Sequence, residues 1–264
     1  MARGAVADRD RSSGLIPVER RSPNLLLSVI VPAYNEAATV ELALRRVRAV
    51  PLRLEIIAVN DASTDGTREI LDAAAKQGLV DRVIHHEKNR GKGAAIRSGV
   101  AVATGDAVVV QDADLEYDPA DLPNLLLPIR SRQADAVYGS RFQGGPRRVL
   151  YFWHYVGNRF LTLLSNMFTN LNLSDLETCY KLVRTAVIKQ LPLSANRFGF
   201  EVEITARLAQ ARARIWEMPI SYSGRTYAEG KKITWRDGFA ALFHIVRYNL
   251  FVPRNANAWR LPAK

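Results

Sequence analysis

With 264 residues, 48% of them hydrophobic, the chain is long enough for one large domain or a domain with an appendage, and apolar enough to bury a substantial core. Its single cysteine, Cys179, excludes an internal disulfide framework and a multi-cysteine zinc site and fits a reducing compartment, with the cytoplasm as the default. The formal charge of +11 points to a polyanionic partner, whether nucleic acid, an anionic membrane face or a phosphorylated substrate, and does not choose among them.

The first 23 residues, MARGAVADRDRSSGLIPVERRSP, mix Arg, Asp, Ser and Pro without an apolar core. They read as a basic, disordered tail over 1–24, neither signal peptide nor packed element. No stretch approaches the roughly 20 uninterrupted apolar residues of a spanning helix, so the chain is not expected to cross a bilayer by itself. From Leu25, short β-branched runs alternate with helical segments: LLLSVIVPAYN, EAATVELALRRVRAV, LEIIAVND, DGTREILDAAAKQ, RVIHH, KGAAIRSGVAVA and AVVVQDAD. This is the pattern of βαβ units building a parallel sheet covered on both faces. Ligands of such sheets bind beyond the carboxyl ends of the strands. Polar residues fall at four successive ends: Asn35 and Glu36, Asn60 and Asp61, Asn89 to Lys92, then Asp112 and Asp114.

A helix starting near Pro119 and a strand, ADAVYGSRF, follow. Beyond Gly145 the segment RRVLYFWHYVGNRFLTLLSNMFTNL is long, aromatic and basic. Its apolar positions occupy more than one face, so it is either a core helix or a helix resting on an apolar surface, and its middle is expected in the core. TWRDGFAALFHIVRYNLFVP is amphipathic as well and leads into a C-terminal tail.

The stretch QDADLEYD places Asp112, Asp114, Glu116 and Asp118 within seven residues. Carboxylates this close repel one another by roughly several kcal/mol unless a cation or a cationic side chain lies between them. A solvated turn carrying helix N-caps is the alternative. NRGKGAAIRSG opens a helix whose free N–H groups, with Lys92, could meet a phosphate, or whose glycines could simply pack tightly. It is not a P-loop, because Ala follows GKG where a metal-binding Ser or Thr belongs. His85, His86, His154 and His244 have no paired ligand spacing and read as ordinary polar or core residues, and Cys179 in ETCYKLV reads as packing.

These motifs converge. VIVPAYNEAATV, VNDASTDGT, HEKNRGKGAAIRSG, QDADLEYDP, YGSRF, DLETCYKLVR, NRFGFEVEI and YSGRTYAEGKKITWRDG occur in that order. The chain from about Ser28 to Leu250 thereby resembles the inverting family-2 glycosyltransferases of GT-A fold, and among them the polyprenyl-phosphate (dolichyl-phosphate) mannosyl and glucosyl transferases. The resemblance implies an α/β fold, a mostly parallel central sheet flanked by helices, with C-terminal amphipathic helices. It spans 25–253, a nucleotide-sugar half of about 25–145 and an acceptor half of about 146–253, with 254–264 as a tail.

By the same resemblance QDADLEYD is a DxD element. Asp112, Asp114 and Glu116 would hold Mg²⁺ or Mn²⁺ against a nucleotide diphosphate, with Asp114 the foremost ligand, the nucleotide ribose as the alternative for Asp112, and Glu116 standing where relatives often carry Gln. Pro32, Ala33, Tyr34, Glu36 and Asp61 would line the base and ribose, with Lys92 beside them. Arg141 would approach the diphosphate or the acceptor phosphate, an ion pair with the acids being its alternative. DLETCYK occupies the place of a D-x-T-S-G-F-R pattern, so Asp175 and Lys181 match while Cys179 replaces the glycine. Arg225, Lys231 and Lys232 would belong to a loop that covers the donor.

The implied reaction transfers a hexose from a UDP- or GDP-hexose to a polyprenyl phosphate with inversion. A lipid phosphate is already anionic and needs little or no general base. A sugar-hydroxyl acceptor would need one, from Asp175, Glu177 or Glu201. A non-catalytic nucleotide-sugar or polyanion-binding module is the reading from another class. The expected partners are the two substrates, an anionic membrane surface or a separate anchor protein, and a second copy of the chain, but no nucleic acid. The expected location is peripheral, at the cytoplasmic face of the membrane.

Overall fold

A computed structural model describes residues 24–149, 151–197, 199–226, 229 and 235–252. The expected N-terminal tail up to residue 23, the C-terminal tail 254–264, and Lys231 and Lys232 lie outside the described residues.

One seven-stranded sheet organises the chain: β1 (Leu26–Ala33), β2 (Arg53–Asn60), β3 (Arg82–His85), β4 (Ala107–Val110), β5 (Ala136–Ser140), β6 (Lys181–Arg184) and β7 (Ile215–Pro219). The order is β3-β2-β1-β4-β6-β5-β7. β1, β2, β3 and β4 pair in parallel, as do β5 and β7, and only β6 runs antiparallel to its neighbours. Leu27, Val29, Ile30 and Val31 of β1, and Ile56 to Val59 of β2, are wholly buried, as expected of central strands covered on both faces. The helices are α1 (Val40–Arg48), α2 (Thr67–Lys76), α3 (Lys92–Val102), α4 (Leu122–Arg130), α5 (Phe152–Thr169), α6 (Thr185–Ile188), α7 (Phe200–Gln210) and α8 (Trp235–Val246), with a π-turn at Arg247–Phe251.

β6 comes from the second half of the chain and enters the sheet between β4 and β5 of the first. In α5 the fully buried residues are Thr162 and Ser165, Leu161, Leu164 and Phe168 of its middle pack on the small core of Leu176, Val202, Ala241 and Ile245, and Trp153, Phe160, Leu163 and Met167 form an exposed stripe on the other side. The polar residues of the inward face brace a loop: Leu176 N–H donates to Thr162 Oγ1, and the Asn166 side chain pairs with the Leu173 backbone in both directions.

Candidate active site

The parallel run β3-β2-β1-β4 brings the four polar strand ends to one edge of the sheet. At the end of β1, Ala33 is buried and its carbonyl accepts from Asp61 N–H at 2.9 Å, tying the first end to the second. Pro32 is half-buried and Tyr34 exposed. Asp61 is itself buried, and its carboxylate accepts from Arg90 N–H at 2.9 Å and Gly91 N–H at 2.7 Å, with His86 Nδ1 at 2.6 Å. A carboxylate only accepts here, so Nδ1 carries the proton, and Nε2 of the same ring faces Ser98 Oγ at 2.9 Å.

Beyond β4 the chain turns sharply. Leu115 takes a left-handed backbone (φ 66°), uncommon for a branched residue, and Glu116 N–H donates back to Asp114 Oδ1 at 3.2 Å. Asp118 caps the next helical turn, its Oδ1 accepting from Ala120 N–H. The other three acids meet two cations. Lys92 Nζ lies 2.8 and 3.0 Å from the two oxygens of Asp112 and 3.3 Å from Glu201 Oε1. Arg225 reaches Asp114 Oδ2 through Nη2 at 3.1 Å, Glu116 Oε1 through Nε at 3.4 Å and Glu36 Oε2 through Nη1 at 3.9 Å. Burial, with the adjacent charges of Asp112 and Glu116, still pushes the Asp114 carboxyl up to about 7, so negative charge remains in excess around it. Burial works against the Lys92 ammonium, but Asp112 first among its neighbours outweighs that and holds its pKa well above the ordinary value.

Next to this open turn is a sealed network. Arg141 forks onto fully buried Asp175, with Nε and Nη2 each 2.7 Å from a carboxylate oxygen. Its guanidinium also lies 5.1 Å from the Tyr222 ring centre. Lys181 Nζ donates to the carbonyls of Leu176 and Thr178, bracing the loop before β6. Glu177 Oε1 and Glu201 Oε2 are closed to solvent and meet no hydrogen-bond donor. Burial, then the Glu201 charge, raises the Glu177 carboxyl to about 7.

The family model for glycosyl transferase family 2 matches residues 28–191. The chain belongs to glycosyl transferase family 2. Undecaprenyl-phosphate mannosyltransferase of Micrococcus luteus is 32% identical to this glycosyltransferase over 213 residues, covering 76% of this chain and 85% of that one. Dodecaprenyl-phosphate galacturonate synthase of Rhizobium johnstonii is 29% identical over 215 residues, 79% of this chain but only 62% of the relative. Among solved structures, glucosyl-3-phosphoglycerate synthase from Mycobacterium tuberculosis, with Mn²⁺, UDP and glucosyl-3-phosphoglycerate, superposes with a TM-score of 0.66 at 20% identity, covering 85% of this chain and 80% of that one. At that identity the likeness speaks for the fold, an α/β GT-A architecture.

Within this fold the structure gathers Asp112, Asp114, Glu116, Lys92, Glu36 and Arg225 in one place, and sets Arg141 and Asp175 beside them. Glu116 is already engaged: Tyr222 O–H donates to its Oε2 at 2.8 Å and Arg225 N–H to its Oε1 at 2.9 Å. Arg141 does form an ion pair, with Asp175 and not with the acid turn. Lys181 is 3% exposed and braces the loop before β6. The glycines of NRGKG pack tightly: a Cβ on Gly91 or Gly93 would collide with the carbonyl oxygen of Asn196 or Ala195, and Ala94 N–H donates to Asn196 O. His86, by sequence an ordinary polar or core histidine, orients Asp61. The signal was its place at the end of β3, in the same row of strand ends.

Asp112 and Asp114 offer hard oxygen donors with surplus negative charge, which fits a small divalent cation. Among the described residues no three His, Cys, Asp or Glu side chains are grouped to hold a metal by themselves. Two carboxylates completed by substrate phosphates is the usual arrangement for Mg²⁺.

Proposed function

We propose that this glycosyltransferase moves a hexose from a nucleoside diphosphate sugar onto a polyprenyl phosphate, with inversion at the anomeric carbon. The observation that carries the reading is the acid turn at the sheet edge, with Lys92 and Arg225 paired to it and Arg141 in the network beside it. Such a site handles phosphate charge by position and electrostatics. Mg²⁺ or Mn²⁺ held by Asp112 and Asp114 would supply neutralising charge for the departing diphosphate. Arg225 would follow the diphosphate, and the Arg141 N–H groups not engaged by Asp175 would serve the acceptor phosphate. Pro32, Ala33 and Tyr34 would contact the nucleoside, next to Asp61.

The names of the Micrococcus and Rhizobium relatives support a polyprenyl phosphate acceptor. So does the state of two of the three carboxylates from which a sugar-hydroxyl acceptor would draw its base. Asp175 has both oxygens taken by Arg141. Glu201 gives one oxygen to Lys92, and its other is sealed. The decisive experiment incubates the protein with UDP- and GDP-sugars, a polyprenyl phosphate and Mg²⁺ or Mn²⁺, and identifies any glycolipid by mass. Transfer to sugar hydroxyls but never to the lipid phosphate would refute the proposal.

A lipid acceptor places the enzyme at a membrane, and we infer peripheral docking at the cytoplasmic face. Among the described residues no helix is long and apolar enough to span one. α5 and α8 pack together and expose Trp153, Phe160, Met167, Phe239 and Phe243. Partial embedding of these side chains, with Lys and Arg attracted to anionic lipid, would hold the chain at the interface. Co-sedimentation with anionic liposomes should weaken with salt without vanishing. Absence of binding at any ionic strength would leave recruitment by an anchor protein.

A further inference from the structure

We propose that Glu116 is a positioning residue and not a metal ligand: it fastens segment 221–225 across the acid turn and so keeps Arg225 as the resident counter-cation of Asp114 until a nucleotide arrives with its metal. The inference rests on the donor and metal chemistry proposed above, and it concerns what occupies the site beforehand.

The strap is tied at every step. Ser221 N–H donates to Asp121 Oδ2 at 2.7 Å. Tyr222 pairs with Tyr117 as an antiparallel bridge and donates its O–H to Glu116. Ser223 N–H donates to the Glu116 carbonyl at 2.9 Å, and Arg225 N–H to the Glu116 carboxylate at 2.9 Å. Three of these ties end on Glu116, whose side-chain oxygens are thereby committed to the strap. The guanidinium at its end is held less firmly. It spreads over Asp114, Glu116 and Glu36 at 3.1, 3.4 and 3.9 Å without forking onto any, and its side chain is 20% exposed.

This placement has a direct electrostatic consequence. A divalent cation on the same Asp114 oxygens would lie beside the guanidinium, and like charges in a half-buried site repel strongly. Metal alone therefore competes with Arg225. A diphosphate removes the competition, because it offers the guanidinium new oxygens and brings negative charge for both cations. Metal and nucleotide should thus bind together, each tightening the other by the same factor.

The test measures Mn²⁺ binding by the electron paramagnetic resonance signal of free Mn²⁺, on the full chain, with and without UDP or GDP. Without nucleotide, Arg225→Gln should bind Mn²⁺ at least about tenfold more tightly than wild type, since a competing charge is gone. Glu116→Gln should shift the same way by less, and Arg225→Lys, which keeps the charge, should stay near wild type. Nucleotide should raise the affinity of wild type far more than that of Arg225→Gln. Unchanged or weaker binding by Arg225→Gln overturns the inference, as does loss of Mn²⁺ affinity in Glu116→Gln, which would make Glu116 a ligand. A rise in Arg225→Lys equal to that in Arg225→Gln would overturn the counter-cation role. If no variant binds Mn²⁺ even with nucleotide, the metal chemistry itself falls. If wild type binds it with nucleotide while Arg225→Gln is unaltered, only the present inference falls.

Discussion

Two neighbouring regions of this glycosyltransferase use the same chemistry, arginine on carboxylate, in opposite ways. In the sealed network Arg141 forks onto both oxygens of Asp175 at 2.7 Å, adds its own backbone N–H at 3.1 Å, and leaves Asp175 with no exposed surface. In the open turn Arg225 touches three carboxylates at single atoms, the nearest at 3.1 Å, and keeps a fifth of its side chain exposed. A forked pair closed to water is hard to undo, because separating it strands a buried charge. A spread, half-exposed contact is held by little and can exchange for another ligand. The fold therefore fixes the frame with one arginine and leaves the reacting edge adjustable with the other.

The contrast breaks most visibly in stability. Arg141→Ala should cost about 3–5 kcal/mol in denaturant unfolding, because Asp175 is left buried and unpaired, whereas Arg225→Ala should cost no more than about 1 kcal/mol. Equal losses would mean that the two sites are not different in kind. For kinetics, Arg141→Lys keeps the charge and loses the fork. A fall in kcat exceeding the rise in donor KM would place the remaining Arg141 donors on developing charge, and a pure KM effect would place them on ground-state binding.

On the open side the expected loss is catalytic. Asp114→Asn should lower the rate on the order of 10²-fold or more, about 3 kcal/mol, while unfolding changes little. Initial rates at saturating Mn²⁺, and of wild type in excess EDTA, check this. Undiminished turnover in either case would detach the acid turn from catalysis.

How much of this was legible follows from the same contrast. The open edge depends on short-range pattern: β-branched runs that alternate with helices make parallel strands, parallel strands open to one side, and the polar residues after each run therefore meet. That the crowded acids need a cation was also readable, but that Arg225 and Lys92 supply it was not, since Arg225 comes from a loop 111 residues away. The sealed network was the harder part. β6 is only the four residues KLVR, begins with a buried lysine, and is a strand because β4 and β5 flank it. Thr162 and Asn166 break the apolar inward face of α5 because the loop at 173–176 has backbone groups to satisfy there, and no periodicity encodes that partner.

The smallest expected effect sharpens the sealed side and bears on the acceptor. Glu177 titrates near 7 in the fold against an ordinary value of 4.5, through burial first and the Glu201 charge second, with Lys181 and Arg141 offsetting part of it. The raised pKa means that the folded chain keeps a proton that the unfolded chain releases, so stability falls as pH rises from about 4.5 to about 7 and stays lower above that. Glu177→Gln has no such proton to lose. Its stability relative to wild type should therefore improve by about 1–3 kcal/mol between pH 5 and pH 8. Reading the difference between the two proteins removes the contribution of the histidines and Asp114, which both share. Turnover separates the two acceptor chemistries in the same variant. A phosphate acceptor needs no base, so glycolipid formation should persist within a few-fold. A loss on the order of 10² or more, with a pH–rate profile that loses its limb near 7, would instead make Glu177 the base that a hydroxyl acceptor requires.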